Sequence, residues 1–243
     1  MKSLLGAIGF LTTLPAGGDE TSFEAFRRRI YVMPLAGFLI GLLCALANSL
    51  LSLVGLSFLA PASFLAVEGI NHLDGLADFG DSLFAPRSRK RDAMKDLKTG
   101  AGGTVFVVLW TLAISISASR MSLPELFVFS LFAEVSAKSG MLLAITFSRP
   151  AWEGMGSYMM EYASKGATLL VLAFAAVVSA VVQLISGYGV LYAFAFSLVV
   201  SLLVMAYSHR TFGGVSGDVF GAINCFALAS CLVFPLVKLR FPF

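Results

Sequence analysis

The fold is decided by residues 31–54, which read YVMPLAGFLIGLLCALANSLLSLV and contain no charged side chain. About 20 consecutive apolar residues are enough for a helix to cross the hydrocarbon core of a bilayer. Because comparable stretches recur along the chain, the sequence predicts an all-α fold, a polytopic integral membrane helical bundle of about six to seven transmembrane helices. The other predicted spans are residues 57–81, 104–119, 123–147, 167–186, 189–207 and 219–237.

The composition supports a membrane protein and excludes other classes. Hydrophobic residues make up 58% of the 243 positions and charged residues 13%, whereas a soluble domain carries about 25% charged residues. No basic face suited to nucleic acid is present, so the lipid bilayer is the expected partner. No linker divides the chain, and residues 1–243 are predicted to form a single integral membrane domain. The three cysteines, Cys44, Cys225 and Cys231, lack metal-site or disulfide spacing and are predicted to be buried apolar residues.

The distribution of Lys and Arg predicts the orientation. Most basic residues fall on one side of the predicted spans, whereas only Arg120, Lys238 and Arg240 fall on the other. The positive-inside rule therefore places the N-terminal side in the cytosol, and seven spans would place the C-terminus outside. Residues 4–14 are too short to span and are expected to be interfacial or re-entrant. The predicted cytosolic parts are residues 1–30, cytosolic or interfacial, and the loops 82–103, 148–166 and 208–218.

An acidic stretch interrupts the second apolar segment: Glu68-Gly-Ile-Asn-His72-Leu-Asp74-Gly-Leu-Ala-Asp78-Phe-Gly-Asp81. Helical spacing places Asp74, Asp78 and Asp81 within about a 60° arc of one face, and Glu68 and His72 on another. A carboxylate at the bilayer centre costs about 2.5–3.5 kcal/mol, so several need compensation. Oxygen ligands without a Cys pair favour Mg²⁺, Mn²⁺ or Ca²⁺. Two plainer alternatives are a solvated helix end for Asp78 and Asp81, and a buried pair for Glu68 and His72.

Two glycine-rich segments follow. In the first, residues 87–103, Lys95 and Lys98 suit a polyphosphate substrate, and Asp96 is expected to bind metal or orient a base. The positive-inside rule alone also explains part of this charge. The second segment reads HRTFGGVSGDVFGAIN over residues 209–224 and matches no nucleotide-binding motif. Ser216 could cap the last helix, with Asp218 in its first turn or completing a site shared with the acidic stripe.

Other polar residues have simpler interpretations. Glu134 and Lys138, four residues apart within a span, are predicted to form a membrane-embedded ion pair. Trp152, Tyr158 and Tyr162 are most simply an interfacial aromatic belt, with stacking on a purine or a large ring as the alternative.

Five motifs follow one another along the chain: Phe10-Leu-Thr-Thr-Leu-Pro15, Pro34-Leu-Ala-Gly37 with Gly41, His72-Leu-Asp74-Gly75-Leu-Ala-Asp78-x-x-Asp81, Met94-Lys95-Asp96 with Gly100, and Gly213-Gly-Val-Ser-Gly217-Asp218-x-x-Gly221. With these motifs in this order, the chain resembles the cobalamin synthase family, the adenosylcobinamide-GDP ribazoletransferases. It departs from the family at Ser82 and Ser216, where the family more often has Gly and Thr. Neither departure removes a carboxylate.

The resemblance implies a Mg²⁺-dependent enzyme in the cytoplasmic (inner) membrane, with its site facing the cytosol. Its substrates would be adenosylcobinamide-GDP and α-ribazole or α-ribazole 5′-phosphate, and other enzymes of corrinoid nucleotide-loop assembly would be possible partners. The expected catalytic residues are Asp74, Asp78, Asp81, Glu68 and His72. The expected metal ligands are Asp74, Asp78 and Asp81, with Asp218 and Glu68 as further ligands or the base. The expected phosphate- or substrate-binding residues are Lys95, Asp96, Lys98, Arg210, Gly214, Ser216 and Gly217.

Two other functions share part of the pattern. A CDP-alcohol phosphotransferase also has an Asp cluster in membrane helices, but its D-G-x-x-A-R motif is not matched after Asp74-Gly75. An ion or proton transporter would use intramembrane carboxylates. The sequence, however, shows no inverted repeat typical of many transporters.

Overall fold

The computed structural model describes residues 1–96 and 98–237, and in that part of the chain the fold is all-α. Single 3₁₀ turns lie at Ile30–Val32, Ser57–Leu59, Arg87–Arg89 and Phe234–Leu236. The α-helices are α1 (Lys2–Leu11), α2 (Glu20–Arg27), α3 (Met33–Leu53), α4 (Ala60–Glu68), α5 (Asn71–Phe84), α6 (Lys90–Ala93), α7 (Ala101–Arg120), α8 (Leu123–Phe147), α9 (Met155–Met160), α10 (Lys165–Ser186), α11 (Val190–Phe212) and α12 (Gly217–Val233).

In the part of the chain that the structure describes, six helices are long and apolar enough to cross a membrane, which confirms the predicted helical membrane bundle. The predicted side of the C-terminus depends partly on Lys238 and Arg240, which lie outside the described residues. The six segments are Ile30–Leu53, Ala101–Arg120, Leu123–Phe147, Lys165–Ser186, Val190–Phe212 and Gly217–Leu236.

The predicted span over residues 57–81 is wrong as a continuous helix. It breaks after Glu68, where Gly69 has φ 79°, a conformation that favours glycine. Glu68 and His72 therefore lie on two helices and not on one face of a single helix. The end of α4 is held by Thr13, whose N–H donates to the Val67 carbonyl at 2.8 Å and whose hydroxyl donates to the Ala66 carbonyl at 2.8 Å. The segment after α1 thus satisfies carbonyls that the helix break would leave unpaired.

The predicted loops are shorter than expected because helices extend into them. The loop predicted over 208–218 shrinks to residues 213–216, since α11 continues through Phe212 and ends at Gly213 with φ 79°. Val215 joins this turn to the preceding loop, donating its N–H to the Arg149 carbonyl and accepting from the Ala151 N–H, both at 2.9 Å. The predicted loops at 82–103 and 148–166 contain the short helices α6 and α9.

Helix α8 forms the centre of the bundle. In its most apolar stretch 83% of the residues are buried, against 22% for α10, which faces outward. Glycines allow α3 to pack closely on α8: a Cβ at Gly37 would lie 2.7 Å from the Glu134 carbonyl oxygen, and one at Gly41 would collide with the Leu131 carbonyl oxygen. Close contact through small residues is typical of helix packing in lipid.

Helix α5 packs against the first turns of both α7 and α12. A Cβ on Gly75 would lie 2.6 Å from the Asp218 carbonyl oxygen, and one on Gly80 would lie 2.9 Å from that of Gly102. Only glycine permits such backbone approach. The arrangement brings the positive ends of two helix dipoles to the helix that carries the acidic stripe.

We expect Gly75→Ala to destabilise the protein by about 1–3 kcal/mol, because the added methyl group meets backbone and not a flexible side chain. Gly166→Ala, in the first turn of α10 with no atom near the added Cβ, is the matched control and should leave stability unchanged or slightly raised. Thermal unfolding in detergent measures both. Equal midpoints for the two variants would contradict the close packing of α5 on α12.

Candidate active site

A cleft of about 320 Å³ opens between α1, the start of α5, α8, α9 and the start of α12. Its polar wall includes Glu68, Asn71, His72, Asp74 and Asp218. Its apolar wall includes Phe10, Met155 and Met159. The structure therefore brings part of the predicted acidic stripe together with Asp218, which lies far away in sequence.

The carboxylates near this cleft act on one another electrostatically. Burial, followed by the charges of Asp74 and Asp218, raises the pKa of the half-buried Asp78 to about 7, with smaller contributions from Asp81 and Asp96. Asp78 lies on α5, outside the six spanning helices. Loss of contact with water is thus the main cause of the shift, and the neighbouring carboxylates add to it by repulsion.

Asp81 differs from Asp74 and Asp78 because backbone amides use its oxygens. Its two carboxylate oxygens accept hydrogen bonds from the N–H groups of Gly100 at 2.6 Å and Gly103 at 2.9 Å. The side chain therefore caps the start of α7 and fastens α5 to it. Its predicted role as a metal ligand stays a prediction, and its capping role was not expected from the sequence.

The donor set fits an open cation site shared with a ligand. Within residues 1–96 and 98–237, no three His, Cys, Asp or Glu side chains form a preassembled metal cage. Mg²⁺ commonly keeps several waters and binds through one or two carboxylates plus substrate phosphates. Asp74, Asp78 and Asp218 provide oxygen donors of this kind, and a divalent cation would offset the repulsion between them.

Glu68 belongs to a buried charge network inside the bundle. Lys138 donates to Glu68, to Glu134 at 3.0 Å and to the Asn224 side-chain oxygen at 2.8 Å. The Asn224 amide nitrogen lies 3.3 and 3.2 Å from the two oxygens of Glu68. The predicted Glu134–Lys138 pair is present, but its extension to Glu68 and Asn224 was missed. The signal that could have revealed it is the side-chain amide of Asn224 within a largely apolar span.

His72 lies between the network and the cleft. Its Nδ1 atom is 3.6 Å from a Glu68 oxygen, beyond hydrogen-bond distance, and makes no hydrogen bond within the described part of the chain. The alternative of a satisfied Glu68–His72 pair is therefore wrong, since Lys138 and Asn224 satisfy Glu68 instead.

Basic and aromatic side chains form the opposite edge of the acidic cluster. The Lys95 ammonium lies within electrostatic range of Asp218 and 4.8 Å from the centre of the Trp152 ring. The Arg91 guanidinium lies 5.3 Å from the same ring, and Phe212 packs edge-on against it at 6.1 Å. Trp152 therefore contacts two cations, one of which, Lys95, also acts on the charge of Asp218.

Tyr158 and Tyr162, the other members of the predicted aromatic belt, contact arginines of the N-terminal segment. The buried Arg27 guanidinium stacks on Tyr158 and bonds to its carbonyl oxygen, and Arg28 lies 4.9 Å from the Tyr162 ring centre. These contacts fasten α2 to α9, which forms one wall of the cleft.

The remaining predicted phosphate-binding residues differ in position: one lines the cleft, and the others are buried or exposed. Gly217 lines the cleft, whereas Gly214 is buried against residues 149–151. Ser216 caps α12, accepting from the Val219 N–H at 3.4 Å, and its hydroxyl lies 3.3 Å from an Asp218 oxygen. The side chains of Lys98 and Arg210 are exposed, and Asp96 accepts from the Lys98 N–H at 3.1 Å.

The fold and this site define a multi-pass helical membrane protein with an acidic centre at the ends of two helices. Residues 3–236 match the family model of cobalamin-5-phosphate synthase. An adenosylcobinamide-GDP ribazoletransferase of Archaeoglobus fulgidus is 42% identical over 96% of both chains. That of Methanocella arvoryzae is 38% identical over 96% of this chain and 94% of its own length, and that of Pyrococcus abyssi is 34% identical over 92% and 93%.

The chain therefore belongs to the cobalamin-5-phosphate synthase family. It is a transferase of the final assembly of cobalamin. No solved structure matches it.

We expect Lys138→Met to destabilise the protein by about 3–5 kcal/mol, because it leaves two buried carboxylates without their cation. Adding Glu68→Gln to Lys138→Met should recover part of the loss, since one uncompensated charge is removed. Lys2→Met, at an exposed position, is the control. Unfolding temperatures in detergent measure these effects, and a Lys138→Met protein as stable as Lys2→Met would contradict the network.

Proposed function

We propose that this protein catalyses a Mg²⁺-dependent transfer that joins adenosylcobinamide-GDP to α-ribazole, or to α-ribazole 5′-phosphate. The products are adenosylcobalamin, or its 5′-phosphate, and GMP. The observation that carries the proposal is the convergence of Asp74, Asp78 and Asp218 beside Lys95. Relatives named adenosylcobinamide-GDP ribazoletransferase, matched over nearly the whole chain, support the choice of substrates.

The chemistry is substitution at phosphorus. The ribose hydroxyl loses its proton and forms a bond to the phosphorus attached to cobinamide, while the bond from that phosphorus to the bridging oxygen breaks. GMP leaves with the electron pair of that bond. Negative charge develops on the leaving oxygen and on the transferred phosphate, so nearby cations stabilise the transition state.

The acidic and basic groups have complementary roles in this scheme. Asp74, Asp78 and Asp218 would hold Mg²⁺, and the bound ion would neutralise charge on the diphosphate. Lys95 acts on the charge of Asp218 and would bind a phosphate oxygen, and the exposed Lys98 and Arg210 are proposed as further phosphate-binding residues. Asp81 and Glu68 position α5 and α4 through their bonds to backbone amides and to Lys138.

The proposed setting is the cytoplasmic membrane with the site facing the cytosol. The acidic stripe is followed directly by the basic residues Arg87, Arg89, Lys90 and Arg91, and the positive-inside rule places such segments in the cytosol. Nucleotide substrates are dissolved on that side. Lipid is then the surrounding medium, and a cytosolic cleft can receive both substrates.

The proposal is tested by GMP release from detergent-purified protein given adenosylcobinamide-GDP and α-ribazole, with Mg²⁺ or with EDTA. Release should require both substrates and the metal. Asp74→Asn and Asp78→Asn should each lower turnover by about a hundredfold or more, because each removes a charged donor at the reacting diphosphate.

Glu125→Gln is the matched control for these variants. Glu125 completes a capping box at the start of α8, where Gln serves equally well, so its activity should be unchanged. Full turnover by folded Asp74→Asn and Asp78→Asn proteins would rule out the assigned ligands. An absence of GMP from folded wild-type protein with both substrates would rule out the reaction.

A second prediction concerns Trp152. Replacing it by Leu removes the ring that faces Lys95 and Arg91. Two cation–π contacts of about 0.5–1 kcal/mol each predict a KM for adenosylcobinamide-GDP raised by about 5–30-fold. The KM for α-ribazole should stay constant, and Trp152→Phe should retain most of the affinity. A change confined to kcat, or equal changes in both KM values, would contradict this positioning role.

A further inference from the structure

A second cavity lies away from the acidic cleft, on the lateral surface of the bundle. It encloses about 480 Å³ between α3, α8 and α10, with the 3₁₀ turn Ile30–Val32 at one end. Its walls are almost wholly apolar and include Phe38, Phe132, Val171 and Phe174, with the buried Ala175 at its base. All three helices are long enough to span a membrane, so this groove lies at the depth of the hydrocarbon chains.

Basic residues stand at the end of the groove that is formed by Tyr31 and Val32. Arg29 directly precedes the 3₁₀ turn, and its side chain is exposed. Lys165, also exposed, begins α10, which contacts the same turn. Arg28 connects the two segments, because its guanidinium lies 4.9 Å from the ring centre of Tyr162, close before Lys165.

The charges of Arg29 and Lys165 have no acidic partner in the described residues. Arg28 pairs with Glu24 at 2.9 Å, and Arg27 pairs with Glu24 and Glu161, whereas no salt bridge there includes Arg29 or Lys165. The apolar groove thus ends in two uncompensated positive charges. This is the charge pattern that suits a molecule with a long hydrocarbon chain and an anionic head.

We propose that this groove is a binding site for one anionic phospholipid. One acyl chain lies along Phe38, Phe132 and Phe174, and the headgroup phosphate binds Arg29 and Lys165. The lipid would fill the space that α3 and α10 leave between them beside their few direct contacts. The site is independent of the acidic cleft and of the reaction proposed there.

The test uses native mass spectrometry of the full chain purified in a neutral detergent. Phosphatidylglycerol and phosphatidylcholine with identical acyl chains are titrated in parallel. The expected result is one retained phosphatidylglycerol per chain and weaker retention of phosphatidylcholine. A basic residue near the headgroup is worth about fivefold in affinity. Arg29→Gln with Lys165→Gln should therefore weaken phosphatidylglycerol binding about 25-fold. Phosphatidylcholine binding should weaken less, because its positive choline group already lowers its attraction to the two cations.

Two alanines of α10 provide a matched pair for the acyl-chain groove. Ala175→Phe places a ring into the groove and should abolish retention of both lipids, whereas Ala173→Phe, at an exposed position outside the groove, should retain them. Arg120→Gln, on another helix end, is the charge control. Thermal unfolding checks that each variant is folded. If Ala175→Phe does not fold, the lipid retention of the charge variants tests the proposal.

Three outcomes would overturn the proposal. The first is equal retention of the two lipids by the wild-type chain. The second is unchanged phosphatidylglycerol retention in the Arg29→Gln, Lys165→Gln protein. The third is a lipid-free species of twice the chain mass that Ala175→Phe dissociates, which would show a second copy in the groove.

Discussion

The close packing of α5 against the first turns of α7 and α12 is the constraint on which the site depends. The glycines at the two helix crossings allow the backbones to come into contact. A Cβ added at Gly75 would lie only 2.6 Å from a carbonyl oxygen of α12. Asp81 then fixes one crossing by accepting the Gly100 and Gly103 amides. The positive ends of two helices offset part of the acidic charge, and the remaining charge on Asp74, Asp78 and Asp218 is available to a cation.

A second constraint lies deeper in the bundle. Helix α4 ends at Glu68, and its carboxylate is paired with Lys138 of α8 and Asn224 of α12. Moving these charges out of water costs free energy. Their mutual attraction offsets that cost only when each charged side chain in the network keeps its partners. The network holds the end of α4 against α8 and α12, and the turn at Gly69 then leads into α5. Glu68 belongs to both the network and the wall of the acidic cleft, and His72 lines the cleft next to it.

The sequence predicted the long helices well because dense apolar runs are sufficient to identify spans. It placed α8 at the observed residues 123–147 and recognised the spacing of Asp74, Asp78 and Asp81 on one helix. It failed at residues 57–81 because hydropathy does not reveal a break made by one glycine with positive φ. The extension of α11 through Phe212 was missed because polar residues such as His209 and Arg210 were interpreted as a loop.

Part of the candidate site could also be predicted from the sequence. Local spacing identifies residues that share a helix face, so the acidic stripe emerged directly from the sequence. Long-range partners do not emerge in this way: the amides that bind Asp81 come from the start of α7, and the cation that binds Glu68 comes from α8. The pairing of Lys95 with Trp152 likewise requires the folded arrangement of two loops.

The central claim is that the carboxylates of α5 and α12 form one cation site completed by the diphosphate of the substrate. Electron paramagnetic resonance of Mn²⁺ added to the purified protein tests it without relying on turnover. The account predicts weak Mn²⁺ binding alone, tighter binding when adenosylcobinamide-GDP is present, and loss of that tightening in both Asp78→Asn and Asp218→Asn. Substrate-dependent binding that persists unchanged in both variants would contradict the account.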